Sequence, residues 1–203
     1  MFLNRSTTAP APEAAAPVVR ECGNDASCLA SAVTACTPAR GTVSVEDALS
    51  FVVARSVFDI VVTGAKNDLS CGVLITQNSA SAALPDTFFE AAKILAEERG
   101  AVIEQFAKNN AEPNALLDAL TGQDAACSFS SVGANALGTF LTRFREIEYG
   151  TSVDAATATA TPVTVTKIGG VSVDVDFWRE CSGTLAVNRP KALQDAAPLI
   201  KVK

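Results

Sequence analysis

The 203-residue chain is 48% hydrophobic and 19% charged, which supports a buried core and excludes an intrinsically disordered chain. Acidic residues outnumber basic ones by 22 to 16, so the net charge of −6 makes nucleic acids and anionic membrane surfaces poor partners. The sequence has no histidine, which excludes Ser-His and Cys-His catalytic units, and no apolar run reaches the roughly 20 residues that a membrane-spanning helix needs.

The N-terminal region divides into a low-complexity segment and a first helix. Residues 1–20 are rich in Ala, Pro, Thr and Ser, and they predict an extended tether or a disordered tail because proline denies regular backbone hydrogen bonds. A short helix is predicted over residues 25–35. Asn24 or Asp25 caps its first turn, and Thr37-Pro38 ends it.

Three segments rich in Val, Ile, Phe and Thr come next. Their composition predicts an antiparallel meander over residues 42–53, 56–65 and 69–78. The run from Ser44 to Asp47 also has the form of a capping box, which would open a helix extending to about Arg55. β-branched residues are frequent from Val52 to Val62 and weigh against that helix.

Helical periodicity dominates the middle of the chain. Apolar residues recur at three- and four-residue steps over residues 86–109 and predict one long amphipathic helix. Gly100 lies inside that pattern and predicts a kink or a close contact. A short helix is predicted over residues 113–120, and a second amphipathic helix over residues 134–148.

The last third begins with a hairpin signal. Two alternating segments, 163–166 and 171–175, flank Gly169-Gly170 and predict a β-hairpin. Residues 190–203 have the composition of a loosely held tail, which leaves a single domain over residues 21–189. The predicted fold class is α+β, with an antiparallel sheet, the two amphipathic helices packed on one face, and disulfide staples.

The six cysteines have the pattern of a disulfide framework. Their count is even, the first three are spaced Cys-x5-Cys-x7-Cys, and the usual zinc and iron–sulfur spacings are missing. We therefore predict no metal or cofactor and an oxidising compartment, with buried reduced thiols as the alternative. The predicted disulfide residues are Cys22, Cys28, Cys36, Cys71, Cys127 and Cys181.

Geometry limits how these cysteines pair. In a helix with a rise of about 1.5 Å per residue, Cys28 and Cys36 lie about 12 Å apart, beyond the ~7 Å between Cα atoms that a disulfide spans. Among the other pairings we favour Cys22–Cys28 as a local staple, Cys36–Cys71 as a link from helix to sheet, and Cys127–Cys181 as the closure of the second half.

Short motifs around the cysteines carry a resemblance to a group of proteins. The chain resembles uncharacterised exported cysteine-containing α+β proteins of archaea and candidate bacterial phyla over residues 21–183. The resemblance implies export and disulfides and no particular activity. The motifs that carry it are Cys22-Gly23-Asn24-Asp25, Ala35-Cys36-Thr37-Pro38-Ala39, Gly64 with Lys66, Asn67 and Cys71, Leu120-Thr121-Gly122, Cys127-Ser128-Phe129 and Glu180-Cys181-Ser182-Gly183.

Paired carboxylates offer the remaining catalytic route. Asp174 and Asp176 alternate along a predicted strand and share one face, and Trp178 joins them if the strand continues. Acidic residues beside an aromatic ring can hold a sugar or a divalent cation. An outward polar face that discourages edge-to-edge aggregation explains the same pattern.

The sequence predicts a non-enzymatic exported module at the cell surface. It is either a tethered binding domain or an assembling envelope or filament subunit, whose partners are copies of itself or other envelope proteins. The alternative is a carboxylate-dependent hydrolase that acts on polysaccharide or peptide. The first residues lack the apolar run of a signal peptide, so export predicts that a leader or anchor has been removed.

Overall fold

The chain folds into an α+β architecture, as predicted. A computed structural model describes residues 18–49, 52–66, 68–152, 163–169, 171–172 and 176–202. In these ranges a six-stranded sheet is covered by helices on one face, and a second sheet has three strands.

The strands pair mostly in antiparallel fashion. The described strands are β1 (Arg20–Gly23), β2 (Ala39–Leu49), β3 (Val52–Ala65), β4 (Cys71–Ala83), β5 (Asp124–Phe129), β6 (Ile147–Ser152), β7 (Val163–Ile168), β8 (Val171–Ser172) and β9 (Cys181–Ser182). The larger sheet has the order β1-β2-β3-β4-β5-β9, and its β1–β2 pair is parallel. The smaller sheet has the order β6-β7-β8.

The predicted meander is present, but its first segment, residues 42–53, extends too far, because β2 ends at Leu49 and Val52 begins β3. The two strands of the predicted hairpin also pair. Leu49 of β2 pairs with Val52 of β3, and β4 returns antiparallel on the other side of β3. The alternative prediction of a helix from Ser44 to Arg55 is therefore wrong, because the β-branched residues there adopt the extended conformation of a strand. Ile168 of β7 pairs with Val171 of β8 around Gly169, and residues 173–175 of the predicted hairpin lie outside the described ranges.

Six α-helices accompany these strands in the described part of the chain. They are α1 (Ala26–Thr34), α2 (Asp86–Ala91), α3 (Arg99–Asn109), α4 (Ala111–Asp118), α5 (Ser131–Arg143) and α6 (Thr184–Ala196). The predicted first helix is confirmed: the Asp25 side chain accepts hydrogen bonds from the backbone N–H groups of Ser27 and Cys28 at 2.9 and 3.0 Å.

The single helix predicted over residues 86–109 is wrong, because the chain leaves the helix after Ala91. Lys93 adopts a left-handed conformation with φ of 54°. The N–H of Ile94 then bonds to the carbonyl of Phe89 at 3.0 Å, and that of Lys93 to Glu90 at 3.2 Å. These two bonds form a Schellman motif, which satisfies the last carbonyls of α2 and turns the chain. Gly100 lies in the first turn of α3 and not at the break.

Two other predicted boundaries differ from the structure. The helix predicted to end at Glu148 ends at Arg143, and a 3₁₀ turn then leads into β6 at Ile147. The predicted boundary at residue 190 falls inside α6, whose Ala196 is fully buried. Apolar residues at helical spacing hold this C-terminal segment against the sheet, so residues 190–202 are part of the packed fold.

The inner face of the larger sheet carries two apolar clusters at its two ends. The bridged cluster contains residues of α1, α5 and the 43–45, 58–62, 73–75 and 125–129 segments. The bridge-free cluster contains residues of α2, α3, α4, the end of α6 and the ends of β2, β3 and β4; its buried members are Leu49, Val52, Ala54, Ala80, Ala82, Leu84, Phe89, Phe106, Leu117 and Ala196.

All three disulfides lie at the first of these clusters. The bonds Cys22–Cys28, Cys36–Cys71 and Cys127–Cys181 confirm the predicted pairing, and none of the six cysteines is free. Cys22, Cys28, Cys71 and Cys127 belong to the bridged cluster, and Cys36 and Cys181 pack against it. Within the described ranges, every helix is too short or too polar to cross a bilayer.

Candidate functional site

The predicted binding face of Asp174, Asp176 and Trp178 does not form as expected. Residues Phe177–Glu180 form a 3₁₀ turn, and exposed Asp176 stands just before it. Asp176 and Trp178 therefore do not project from one face of a strand, and that prediction is wrong. Asp174 lies outside the described residues.

Trp178 packs against aromatic residues of the core. Its ring centroid is 4.7 Å from that of Phe177 and 6.2 Å from that of Phe58. The guanidinium of Arg189 lies over the rings of Phe58 and Trp178, at 5.3 and 5.4 Å from their centroids. The tryptophan thus helps to enclose a buried cation, a contact that favours the charged guanidinium.

Arg189 is the centre of a polar layer, which we define as Asp47, Ser56, Gln77 and Arg189. The Arg189 side chain is 3% exposed and forms an ion pair with Asp47, whose side chain is 12% exposed. It also lies 3.5 Å from the hydroxyl of Ser56. Each strand residue of the layer stands between members of the two apolar clusters, for example Asp47 between Val45 and Leu49. The layer therefore divides the core.

Burial makes this layer a poor candidate for ligand recognition. Ser56 and Gln77 are 1% and 0% exposed, so a solute has no direct access to either side chain. The cation of Arg189 is already neutralised by Asp47, which removes its charge as an anion-binding feature. The layer joins α6 to β2 and β3, and its role is structural.

The opposite face of the sheet is the most extensive candidate surface. We call it the open face and define it by the outward residues of β1 to β5. Along β3 the inward residues are buried, while outward Val53, Arg55, Val57, Asp59 and Val61 are half-buried or exposed. Among the helices that the structure describes, all six contribute buried residues to the inner clusters, so none lies on the open face.

One row of the open face carries its main aliphatic surface. In one row Val61 of β3 pairs with Arg40 of β2 on one side and Leu74 of β4 on the other. Leu74 is 47% exposed, a large value for a leucine in a central strand. Val57, two residues before Asp59, adds a further apolar position. The Val61–Leu74 pair therefore presents aliphatic surface to solvent, and Val57 lies apart from it beyond Asp59.

The next row is a polar ladder across four strands. Thr42, Asp59, Thr76 and Asp124 are successive cross-strand partners. The Thr42 hydroxyl donates to Asp59 at 2.5 Å, and the Thr76 hydroxyl donates to Asp124 at 2.6 Å. The hydrogen bond from Thr42, followed by one from Asn78, lowers the pKa of Asp59 below its ordinary value. Asp59 is therefore ionised at neutral pH and is unsuited to act as a general acid.

Ion pairs within the chain balance much of the charge on this face. Arg40 binds Glu21 at 2.7 Å, and this contact raises the pKa of the Arg40 guanidinium. Arg55 binds Glu46, also at 2.7 Å. A groove of about 400 Å³ runs along the β1 side of the face, between Glu21, Arg40, Thr42 and Asp59. Its polar groups already have partners, which leaves no free charge to attract a polyanion.

The sequence analysis did not single out the residues of this face. Alternation along the predicted strands places Thr42, Asp59 and Thr76 on outward positions, but it does not supply the register that makes them neighbours. No family model matches the chain, and neither does any curated protein or solved structure. Any function assigned to it therefore depends on its own residues.

Proposed function

We propose that the chain is an exported, disulfide-stabilised, non-enzymatic subunit that assembles with copies of itself through the open face of its sheet. One observation carries the proposal: the helices that the structure describes pack on one face of the sheet, and the other face exposes the cross-strand aliphatic pair Val61 and Leu74. An exposed apolar patch with a polar rim is typical of a protein–protein contact.

The charge pattern favours a second copy as the occupant. The whole chain carries a net charge of −6, so two copies repel each other at most surfaces. On the open face, however, Arg40 and Arg55 are paired with Glu21 and Glu46, which places both signs side by side. These pairs can meet their own two-fold images with opposite charges opposed, provided that the two-fold axis keeps the carboxylates of Asp59 and Asp124 apart from their images. Two sheets packed face to face lie about 10 Å apart, a distance that side chains such as Val61 and Leu74 fill.

The disulfides support the location in this proposal. Three formed bridges and no free thiol are typical of proteins that mature in an oxidising compartment. The hydrolase alternative has weaker support. Its aromatic residue Trp178 packs against Phe58 and Phe177, and the ionised Asp59 of the open face does not supply an acid.

The test is static light scattering of the oxidised protein over a wide concentration range. We expect the mass of the wild-type protein to rise with concentration. The double variant Val61→Lys, Leu74→Lys should remain monomeric, because two lysines would be desolvated at the centre of the contact. The matched control is Val132→Lys, Val187→Lys, which adds the same charge at exposed positions of α5 and α6 and should associate like the wild type.

Two outcomes would contradict the proposal. One is a monomer at every concentration, and the other is association that the lysines at Val61 and Leu74 leave unchanged. Turnover of a glycan or peptide substrate by the purified chain would favour the hydrolase instead. Circular dichroism of each variant verifies that it is folded.

A further inference from the structure

An apolar groove lies in the bridge-free half of the molecule, away from the open face. Its volume is about 390 Å³, within the roughly 300–1,000 Å³ of small-molecule sites. Apolar side chains from β4's end, α2, α3 and the C-terminal segment line it: Leu84, Phe88, Val102, Phe106 and Val202. We call it the C-terminal groove.

The residues at the floor of this groove are buried, and those of its walls are accessible to solvent. Leu84 and Phe106 are 6% and 7% exposed, and both belong to the bridge-free cluster. Phe88 and Val102 are half-buried and pack against that cluster with part of their surface in the groove. An alkyl chain placed there would cover aliphatic and aromatic surface that water now contacts, which is favourable in proportion to the area removed from water.

One cation lines the groove among the residues that the structure describes. Lys201 lines it together with the amide side chains of Gln105 and Asn109. Lys201 is exposed, and among the acidic residues that the structure describes it has no ion-pair partner. In a chain with a net charge of −6, an unpaired lysine beside an apolar groove provides charge complementarity for one anionic group.

The position of Lys201 is fixed by a buried asparagine. Asn110 is 0% exposed, and its side-chain oxygen accepts the backbone N–H of Lys201 at 2.7 Å. Its side-chain nitrogen donates to the carbonyl of Lys201 at 3.0 Å and to that of Phe106 at 2.8 Å. Both backbone groups of Lys201 are therefore held against the end of α3. This arrangement reduces the ordering cost of placing its side chain beside a ligand.

We propose that the C-terminal groove binds a small aliphatic carboxylate. The alkyl chain lies against Phe88, Val102 and Phe106, and the carboxylate meets the ammonium of Lys201. The side-chain nitrogen of Gln105 donates to the side-chain oxygen of Asn109 at 2.9 Å, and the remaining N–H groups of these two amides supply hydrogen bonds to the second carboxylate oxygen. This binding site is independent of the open face and of any self-assembly.

The experiment is isothermal titration calorimetry of the oxidised full chain with hexanoate, octanoate and decanoate. We expect saturable binding of one ligand per chain, with Kd falling about tenfold for every two added methylenes as each buries more apolar surface. Octanol, which has the same chain length as octanoate but no charge, should bind more weakly.

Substitutions distinguish the contribution of the lysine charge to binding from that of the apolar wall. Lys201→Gln should weaken octanoate binding about three- to tenfold and leave octanol binding unchanged, because only the anion loses its partner. Phe88→Ala should weaken both ligands. The matched control Lys191→Gln removes an exposed lysine of α6 that does not line the groove, and it should bind octanoate like the wild type.

Three results would overturn the inference. They are the lack of saturable binding by decanoate, equal affinity for octanoate and octanol, and octanoate binding that Lys201→Gln and Phe88→Ala leave unchanged. The last result would place the ligand elsewhere on the molecule.

Discussion

The two ends of the inner sheet face are stabilised in different ways. At one end every cysteine belongs to the bridged cluster or packs against it, so three covalent links reinforce large residues such as Phe129, Phe177 and Leu137. The other end contains Ala54, Ala80, Ala82 and Ala196 and no cysteine. Noncovalent contacts alone hold the bridge-free cluster, and it contains fewer buried residues than the bridged cluster. Stability is therefore distributed unevenly along one sheet.

One helix in each half ends with a Schellman motif, and the two endings differ in their covalent restraint. Cys36 follows α1 with φ of 50°, and the N–H of Thr37 bonds to the carbonyl of Ala32 at 2.9 Å. Lys93 follows α2 with φ of 54° in the same Schellman geometry. A side chain other than glycine is unfavourable in both places. Cys36 is held there by its bond to Cys71, whereas Lys93 has no covalent restraint.

Reduction of the three disulfides should have the largest effect on stability. Each bridge contributes about 2–4 kcal/mol, and the net stability of a domain is typically about 5–15 kcal/mol. We therefore expect reduced protein to lose its cooperative unfolding transition in urea under conditions where oxidised protein remains folded. Far-ultraviolet circular dichroism, recorded against urea concentration in matched oxidised and reduced samples, measures the unfolding transition.

Removal of the disulfides one at a time ranks their contributions to the free energy of unfolding. Cys127–Cys181 spans 54 residues and Cys22–Cys28 spans 6, so the chain-entropy model predicts that loss of the first costs about 2 kcal/mol more. The two Cys→Ser double variants test this order. Equal stabilities of the oxidised and reduced wild-type protein would contradict the role of the bridges altogether.

Arg189 joins the two halves, and its replacement should produce the next largest effect. Arg189→Met leaves Asp47 mostly buried without a cation, which costs about 3–5 kcal/mol. The double variant Arg189→Met, Asp47→Leu should recover most of that loss, because no charge then remains buried alone. Urea unfolding of the two variants makes the comparison. If the double variant is as unstable as Arg189→Met, the unpaired charge is not the cause.

Lys93→Gly should stabilise the bridge-free half. The left-handed conformation costs a non-glycine residue about 1–2 kcal/mol. The larger loss of chain entropy on folding offsets about 0.5–1 kcal/mol of this for glycine, so we expect a net gain in the free energy of unfolding of up to about 1.5 kcal/mol. Its neighbour Ala92 has φ of −80°, and Ala92→Gly should therefore destabilise. A lower melting temperature for Lys93→Gly than for the wild type would show that the left-handed conformation of Lys93 does not reduce the stability of the protein.

The smallest expected effect is a change in pH dependence on the open face. The pKa of Asp59 is lowered in the folded state, so its contribution to stability is present above its unfolded pKa of about 4 and is lost as pH falls through the folded pKa. Thr42→Val removes the main cause of this shift. The variant should be less stable than the wild type at pH 7, and the difference should shrink in acid.

Urea unfolding at a series of pH values from 7 downward measures this difference. Thr63→Val is the matched control, because Thr63 is an exposed outward residue of β3 for which the structure describes no carboxylate partner. A destabilisation by Thr42→Val that is constant over the whole pH range would contradict the assignment.

Local patterns predicted much of the fold because the responsible interactions are local. Capping by Asp25, alternation along β2 to β4 and the spacing of the cysteines all depend on neighbours in sequence. The helix rise excluded a Cys28–Cys36 bond, and the favoured set was one of the pairings that remained. These features needed no knowledge of tertiary contacts.

The errors arose where tertiary contacts override local preference. Residues 92–98 are good helix formers, yet Ile94 turns inward to pack on the bridge-free cluster while Leu95 is 57% exposed. Pro190 suggested a loose tail, but it stands within α6, whose Arg189 is buried by its pairing with Asp47. The open face was missed because it depends on strand register, and the polar layer because one charge on a helix gives no signal of burial.

Peptide mapping of the native protein under non-reducing conditions tests the division of the molecule most directly. After digestion that cleaves at Asp25 and at Leu29, we expect the disulfides Cys22–Cys28, Cys36–Cys71 and Cys127–Cys181, each in its own peptide pair, and no alkylated cysteine. Six alkylated cysteines would contradict both the bridged half and the oxidising location proposed for the chain. A disulfide that joins other positions would contradict the pairing on which the bridged half depends.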